Sequence, residues 1–396
     1  MTKSSFQFSV RQSFVICGVG AAAQAPGLLK KMGGTKCVLF TDAVLNKLGF
    51  TEKMKKYFEA EPEGVELAGI FDTVEADARS TIINKASEYY RNCGGDCILT
   101  VGGGSVIDTA KAVLWMSEHD VTDVHKVFSE KMKYIDMFPT AKPLKTPSII
   151  IPTTAGTGSE VSTTAVIFNE EMDLKISIMQ QYLGANCAIL DAEFTETLPA
   201  GMTASTGFDA MTHALEGFFS PKASVASDPY AKQAMKIIYN NLVESTRNGH
   251  NLEARENMLL GSVLGITAFG LTFGAMPIHN MSMTFGTMHH TPHALSVAVL
   301  MAPTMRALPD VYLGKIREFA DNLGISAEGT DQDCLDRCIA AIDQFRTDVG
   351  LPERFDINYA DMDIDQFMTL VHTEGGGKRF FIPDDKVIEI IKAVTK

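Results

Sequence analysis

The chain has 396 residues, 45% of them hydrophobic and 21% charged, and a net charge of −13. At about 100–200 residues per domain, this ordinary globular mix predicts two domains. The acidic balance, with no basic block, argues against nucleic acid or an anionic membrane as partner, but it leaves room for a small anionic substrate in a local basic pocket.

Residues 1–14, MTKSSFQFSVRQSF, are polar and mixed and lack the apolar core of a signal peptide. No run of about 18 apolar residues is present, so no membrane span is expected. The seven cysteines are irregularly spaced. Cys93/Cys97 and Cys334/Cys338 are each four apart, which is not the C-x2-C spacing of structural zinc. They read as reduced thiols, and the chain as a cytoplasmic protein.

In the first half, short β-branched runs alternate with amphipathic stretches. CVLFT (37–41), ELAGIFD (66–72), CILTV (97–101) and SIIIP (148–152) predict buried strands, and 43–58, 78–92 and 105–118 carry apolar residues at helical spacing. Strands alternating with helices over short connections predict a parallel sheet with crossover helices. TTAVIF and LKISIM, around NEEMD, predict a strand pair joined by a polar turn. After about residue 193 helical periods dominate, in 227–246, 254–270, 312–323 and 334–350. The boundary is placed at LDAEFTETLP (190–199), dividing the chain into an α/β domain of 1–192 and a helical domain of 193–396, with a cleft expected between them.

Three segments of the α/β half have the chemistry of phosphate and ribose binding. Val101-Gly102-Gly103-Gly104-Ser105 follows a predicted strand and opens a predicted helix, where backbone N–H groups and the helix N-terminus favour an anion. Asp42, at the end of the second strand, suits the ribose hydroxyls of NAD and would repel a 2′-phosphate; it is equally suited to capping the next helix. Pro152-Thr153-Thr154-Ala155-Gly156-Thr157-Gly158-Ser159-Glu160 offers hydroxyls and open amides to a polar ligand. Gly18-Val19-Gly20 is a weaker signal, compatible with a turn at a sheet edge.

A metal constellation follows in the helical half. Asp209 and His213 are four apart in GFDAMTHALEG and share a helix face. Six of the nine histidines fall between positions 213 and 293, among them His279, His289, His290 and His293. Asp209, His213, His279 and His293 together supply one oxygen and three nitrogens, a set suited to Fe(II) or Zn(II) acting as a Lewis acid on an alcohol or carbonyl oxygen.

The motifs GGGSVIDTAK (102–111), PTTAGTGSEV (152–161), LDAEFTETLP (190–199), GFDAMTHALEGFFS (207–220) and the pair His279/His293 run through nearly the whole chain. In them the sequence resembles the iron-containing (group III) alcohol dehydrogenases, which include lactaldehyde reductase, 1,3-propanediol dehydrogenase and butanol dehydrogenases. The resemblance implies a dehydroquinate synthase-like architecture: an α/β dinucleotide-binding domain followed by an all-α domain, with a catalytic metal in the cleft. It implies metal ligands at Asp209, His213, His279 and His293, and NAD contacts at Asp42, Gly103, Gly104, Ser105, Thr153, Thr154 and Lys175. It further implies a homodimer or larger homo-oligomer, and hydride transfer between NAD and a small primary alcohol or aldehyde.

Three positions depart from the family pattern. A histidine common in the family four residues after the ligand His279, thought to assist proton exchange, is Met283 here. A solvent path, a ribose hydroxyl or His289/His290 would have to take that part. The His-Gly after the last ligand is His293-Ala294, and the usual Asn-Pro-Arg region reads Glu374-Gly375-Gly376-Gly377-Lys378-Arg379-Phe380-Phe381. Lys378 and Arg379 are candidates to pair with an acidic group on an aldehyde substrate, or else solvated surface charges. Competing functions are a hydroxyacid–oxoacid transhydrogenase, a cyclase or polyol-phosphate dehydrogenase of the same fold, and a non-catalytic nucleotide-binding protein.

Overall fold

The computed structural model describes residues 8–9, 13–128, 133–272, 277–373 and 380–396. They form two compact units, one of Arg11–Thr154 with Gly158–Thr197, the other of Leu198–Lys396 with Ala155–Thr157.

The first unit runs β1 (Phe14–Cys17), α1 (Ala25–Lys31), β2 (Lys36–Phe40), α2 (Ala43–Lys47), α3 (Phe50–Glu59), β3 (Glu66–Phe71), α4 (Ser80–Asn92), β4 (Cys97–Gly102), α5 (Gly104–Glu118), α6 (Val124–Phe128), β5 (Lys133–Asp136), β6 (Ser148–Pro152), β7 (Thr164–Asn169), β8 (Leu174–Gln180) and β9 (Cys187–Leu190). Six strands make a sheet in the order β1-β9-β6-β4-β2-β3, every pair parallel. β4, β6 and β9 are buried at every position. Helices cover both faces, so these strands are continuous apolar runs without alternation. One face packs Leu39, Leu99, Ile149 and Ile189 against Leu29, Phe50 and Phe58; the other packs Val38, Phe40 and Ile98 against Ile82, Val106 and Val113.

The predicted strand pair forms the antiparallel hairpin β7–β8, extended by β5 into a second sheet, β5-β8-β7. A buried amine ties this sheet to α5. Lys111 Nζ donates to the carbonyls of Ser159 (2.8 Å), Ser162 (2.9 Å) and Thr164 (2.6 Å). One turn earlier, Asp108 accepts from Ser159 Oγ and from the Val166 amide at 3.0 Å. A buried cation needs such a cage of acceptors, and the cage fixes the segment leading into β7.

The predicted helix 43–58 is two helices, because Gly49 takes φ +88°, which no α-helix accommodates. β1, β5 and β9 are only four residues each, too short to show a period in sequence. The Gly18–Gly20 turn follows the edge strand β1, and the buried carboxylate of Asp191 takes its amides, Gly20 N at 3.1 Å and Ala22 N at 3.0 Å.

The second unit comprises α7 (Ala200–Phe219), α8 (Asp228–Arg247), α9 (Leu252–Thr272), α10 (Pro277–His289), α11 (His293–Ala307), α12 (Pro309–Tyr312), α13 (Ile316–Leu323), α14 (Asp331–Asp348), α15 (Ile364–Thr373) and α16 (Asp384–Val394). α7, α8 and α9 pack most extensively on one another; α11 packs on α7, α14 and α16, and α10 on α11 and α15. From Gly207 to Phe219 every residue of α7 is buried, as expected of a helix apolar on all sides. Charged residues within that stretch therefore need a specific reason. All seven cysteines are free thiols. No single helix among the described residues is long and apolar enough to cross a membrane.

Candidate functional site

Asp209 and His213 occupy successive turns of α7; His279 lies in the first turn of α10, and His293 opens α11. The packing of α11 on α7 and of α10 on α11 brings the four together. Asp209 Oδ1 is 3.9 Å from His213 Nδ1, 3.6 Å from His279 Nε2 and 3.6 Å from His293 Nε2. Ligand atoms of Asp209, His213 and His279 lie within 4.8 Å of one another. His293 is the exposed member, at 36% for its side chain against 1% for Asp209, so the cluster is open on its side.

These residues fit a divalent cation. Asp209 Oδ1, His213 Nδ1 and His279 Nε2 are buried without a hydrogen-bond partner, although a buried polar atom ordinarily has one. Bonds of 2.0–2.2 Å around a tetrahedral ion separate ligand atoms by about 3.3–3.6 Å, close to the distances here. Two of the outer ring nitrogens are occupied: His279 Nδ1 bonds Glu216 Oε2 at 2.5 Å, and His293 Nδ1 lies 2.9 Å from Ser282 Oγ. Such outer contacts orient ligand imidazoles.

The electrostatics agree. Burial pushes the His213 pKa down to about 3, keeping the ring in the neutral form that ligates. Burial also works against charging His279, but Glu216 and Asp209 outweigh it and push its pKa up to about 10. Burial opposes ionisation of Asp209 as well, and the three imidazoles overcome that, holding it well below the usual carboxylate range. Two buried carboxylates thus demand positive charge at this point, which a divalent cation satisfies.

In the α/β unit, the predicted coenzyme residues follow three adjacent strands. Asp42 comes just after β2, Gly103, Gly104 and Ser105 just after β4, and Thr153 and Thr154 just after β6, all at the carboxyl edge of the sheet. The Thr153 amide donates to the Gly102 carbonyl at 3.0 Å, joining two of the loops. A Cβ on Gly102 would fall 2.4 Å from the Val106 Cβ, so only glycine lets α5 start there. α5 starts at the strand-order reversal, where open α/β sheets bind nucleotides and a helix N-terminus favours an anion. Asp42 also caps α2, its Oδ1 accepting from the amides of Val44 (2.8 Å) and Leu45 (2.9 Å). Lys175, on β8, pairs with Asp77 at 3.0 Å, and the Asp77 amide donates to Ser105 Oγ at 3.1 Å, which places Lys175 near the start of α5.

Lys378 and Arg379 lie outside the described residues. His289, on α10, packs on Phe285 with ring centroids 6.1 Å apart. Glu216 was not singled out from sequence. The signal was present: Asp209, His213 and Glu216 are spaced i, i+4, i+7, placing an acid on one face of an otherwise apolar helix.

Known proteins are similar to this chain over most of its length. The family model described as "Iron-containing alcohol dehydrogenase" matches residues 12–192, and "Fe-containing alcohol dehydrogenase family, C-terminal" matches 203–394. The chain is 32% identical to a 1,3-propanediol dehydrogenase of Klebsiella pneumoniae, over 81% of each sequence. It is 28% identical to an NAD-dependent methanol dehydrogenase of Bacillus methanolicus, over 88% of this chain and 87% of that one. The crystal structure of a 1,3-propanediol oxidoreductase superposes with a TM-score of 0.86 at 28% identity, covering 98% of this chain and 99% of that chain. The parallel sheet with a helical second unit is the dehydroquinate synthase-like architecture. Both family models match in order and the relatives align over most of their length, so the chain belongs to the iron-containing alcohol dehydrogenase family and is an alcohol/aldehyde oxidoreductase.

Proposed function

We propose that this protein interconverts a small primary alcohol and its aldehyde, using NAD(H) and a divalent metal, Fe(II) or Zn(II). The observation that carries the reading is the set of buried, unpartnered atoms of Asp209, His213 and His279 with His293 Nε2 beside them. A cation held there would supply Lewis acidity toward the substrate oxygen, and a bound NAD(H) would supply the hydride chemistry.

The chain's own residues have separable tasks in this scheme. Asp209 and the three histidines hold the cation, with His293 on the accessible side. Gly103, Gly104 and Ser105 offer backbone and hydroxyl groups to the pyrophosphate, while Thr153, Thr154 and Lys175 add polar contacts. Asp42 takes the adenosine ribose and disfavours NADP. NAD use has further support in the name of the B. methanolicus relative.

The test is metal analysis of the purified protein together with NADH oxidation on a panel of C2–C4 aldehydes. The reading predicts about one Fe or Zn per chain and turnover that releases NAD. Absence of a bound transition metal after reconstitution, or turnover only between a hydroxyacid and an oxoacid without free NADH, would overturn it.

A further inference from the structure

We propose that Glu216 is a positioning residue of the cation site, one that dictates which nitrogen of His279 faces the metal. The inference rests on the metal-site reading above. Glu216 lies on the face of α7 that carries Asp209 and His213, and its side chain is 1% exposed. Its two oxygens do different work. Oε1 accepts the backbone amides of Ile278 (2.7 Å) and His279 (3.4 Å), capping the start of α10. Oε2 meets the ring Nδ1 of His279 at 2.5 Å.

A carboxylate 2.5 Å from Nδ1 favours a proton on that nitrogen and turns the ring so that Nε2, 3.6 Å from Asp209 Oδ1, is the atom that can meet a cation. Beside His293 a neutral hydroxyl takes the corresponding place: Ser282 Oγ lies 2.9 Å from Nδ1 and donates to the His293 carbonyl at 3.3 Å. Glu216 also places a second buried carboxylate at the site besides Asp209, which favours a cation there.

Glu216→Gln separates this role from simple capping. Glutamine keeps a carbonyl oxygen for the α10 amides but turns an NH2 group toward Nδ1. Nδ1 then becomes the acceptor, the proton moves to Nε2, and the ligand lone pair is lost. The full-length protein is stripped with a chelator and titrated with Co2+, following its d–d absorption. Wild type should bind one Co2+; E216Q should bind about 10–100-fold more weakly with a changed spectrum, while its NADH affinity stays the same. Equal Co2+ affinity and an unchanged spectrum in E216Q would overturn the proposal. No Co2+ binding by wild type would remove the metal site itself and Glu216's role with it.

Should E216Q fail to fold, 15N-histidine NMR of the Zn2+-loaded wild type decides the matter. A proton on Nδ1 of His279 supports the assignment, and a bare Nδ1 overturns it.

Discussion

Asp42 puts a helix cap and a proposed ribose contact on one carboxylate. A single oxygen, Oδ1, receives both capping amides of α2. The cap and a ribose contact are therefore compatible, and the two readings of this residue need not compete. Asp42→Asn keeps an acceptor for the cap and removes the charge that repels a 2′-phosphate. It should raise the NADPH-to-NADH ratio of kcat/KM at least ~10-fold with Tm little changed, whereas Asp42→Ala should also cost about 1 kcal/mol of stability; coenzyme kinetics and thermal melts check both. His279→Ala should lower turnover at least ~100-fold while NADH still binds, measured by its fluorescence. For Lys378 and Arg379 the prediction is selective: alanine at either should reduce kcat/KM for acidic aldehydes several-fold more than for neutral ones. An equal loss on both substrate types would make them surface charges.

Among the elements, α4 depends on a residue far from it in sequence. Glu170, just after β7, accepts from the Thr81 amide at 3.0 Å and from Arg79 Nη1 at 3.2 Å, satisfying donors at the N-terminus of the helix. Burial raises its pKa, but Thr81 and Arg79 outweigh that and hold it below the usual glutamate value. A carboxylate depressed in the folded state stabilises fully above its unfolded pKa, and that contribution is lost as pH falls through the folded one. The Tm difference between wild type and Glu170→Gln should thus be steady from pH 6 to 8 and close below about pH 4. A difference independent of pH would rule out the ionised cap. Element type was legible where a period had room to repeat, as in β4 and α5. It failed where local geometry intervened, as at Gly49, or where strands were as short as β1 and β9.

For the whole molecule, a ligand that binds only the folded state adds stability, about 2.7 kcal/mol at a hundredfold excess over its Kd. Removing the cation with a chelator should therefore lower Tm and abolish turnover, and Zn2+ or Fe2+ should restore both. Calorimetry with and without metal measures this, and a Tm insensitive to chelation would count against a bound ion. The amino-acid sequence by itself determined the α/β-then-helical order, the glycine-rich turns after strands and the chemistry of an Asp/His donor set. These follow from period, turn propensity and side-chain type, all of which act over a few residues. Only the tertiary structure decided that His279 and His293 meet Asp209, 70 and 84 residues away, that Asp191 closes the Gly18–Gly20 turn, and that Glu216 faces a ring nitrogen of His279. Contacts of that kind arise from the packing of separate helices and strands around a common core, where burial and exclusion of water select partners that no local pattern names.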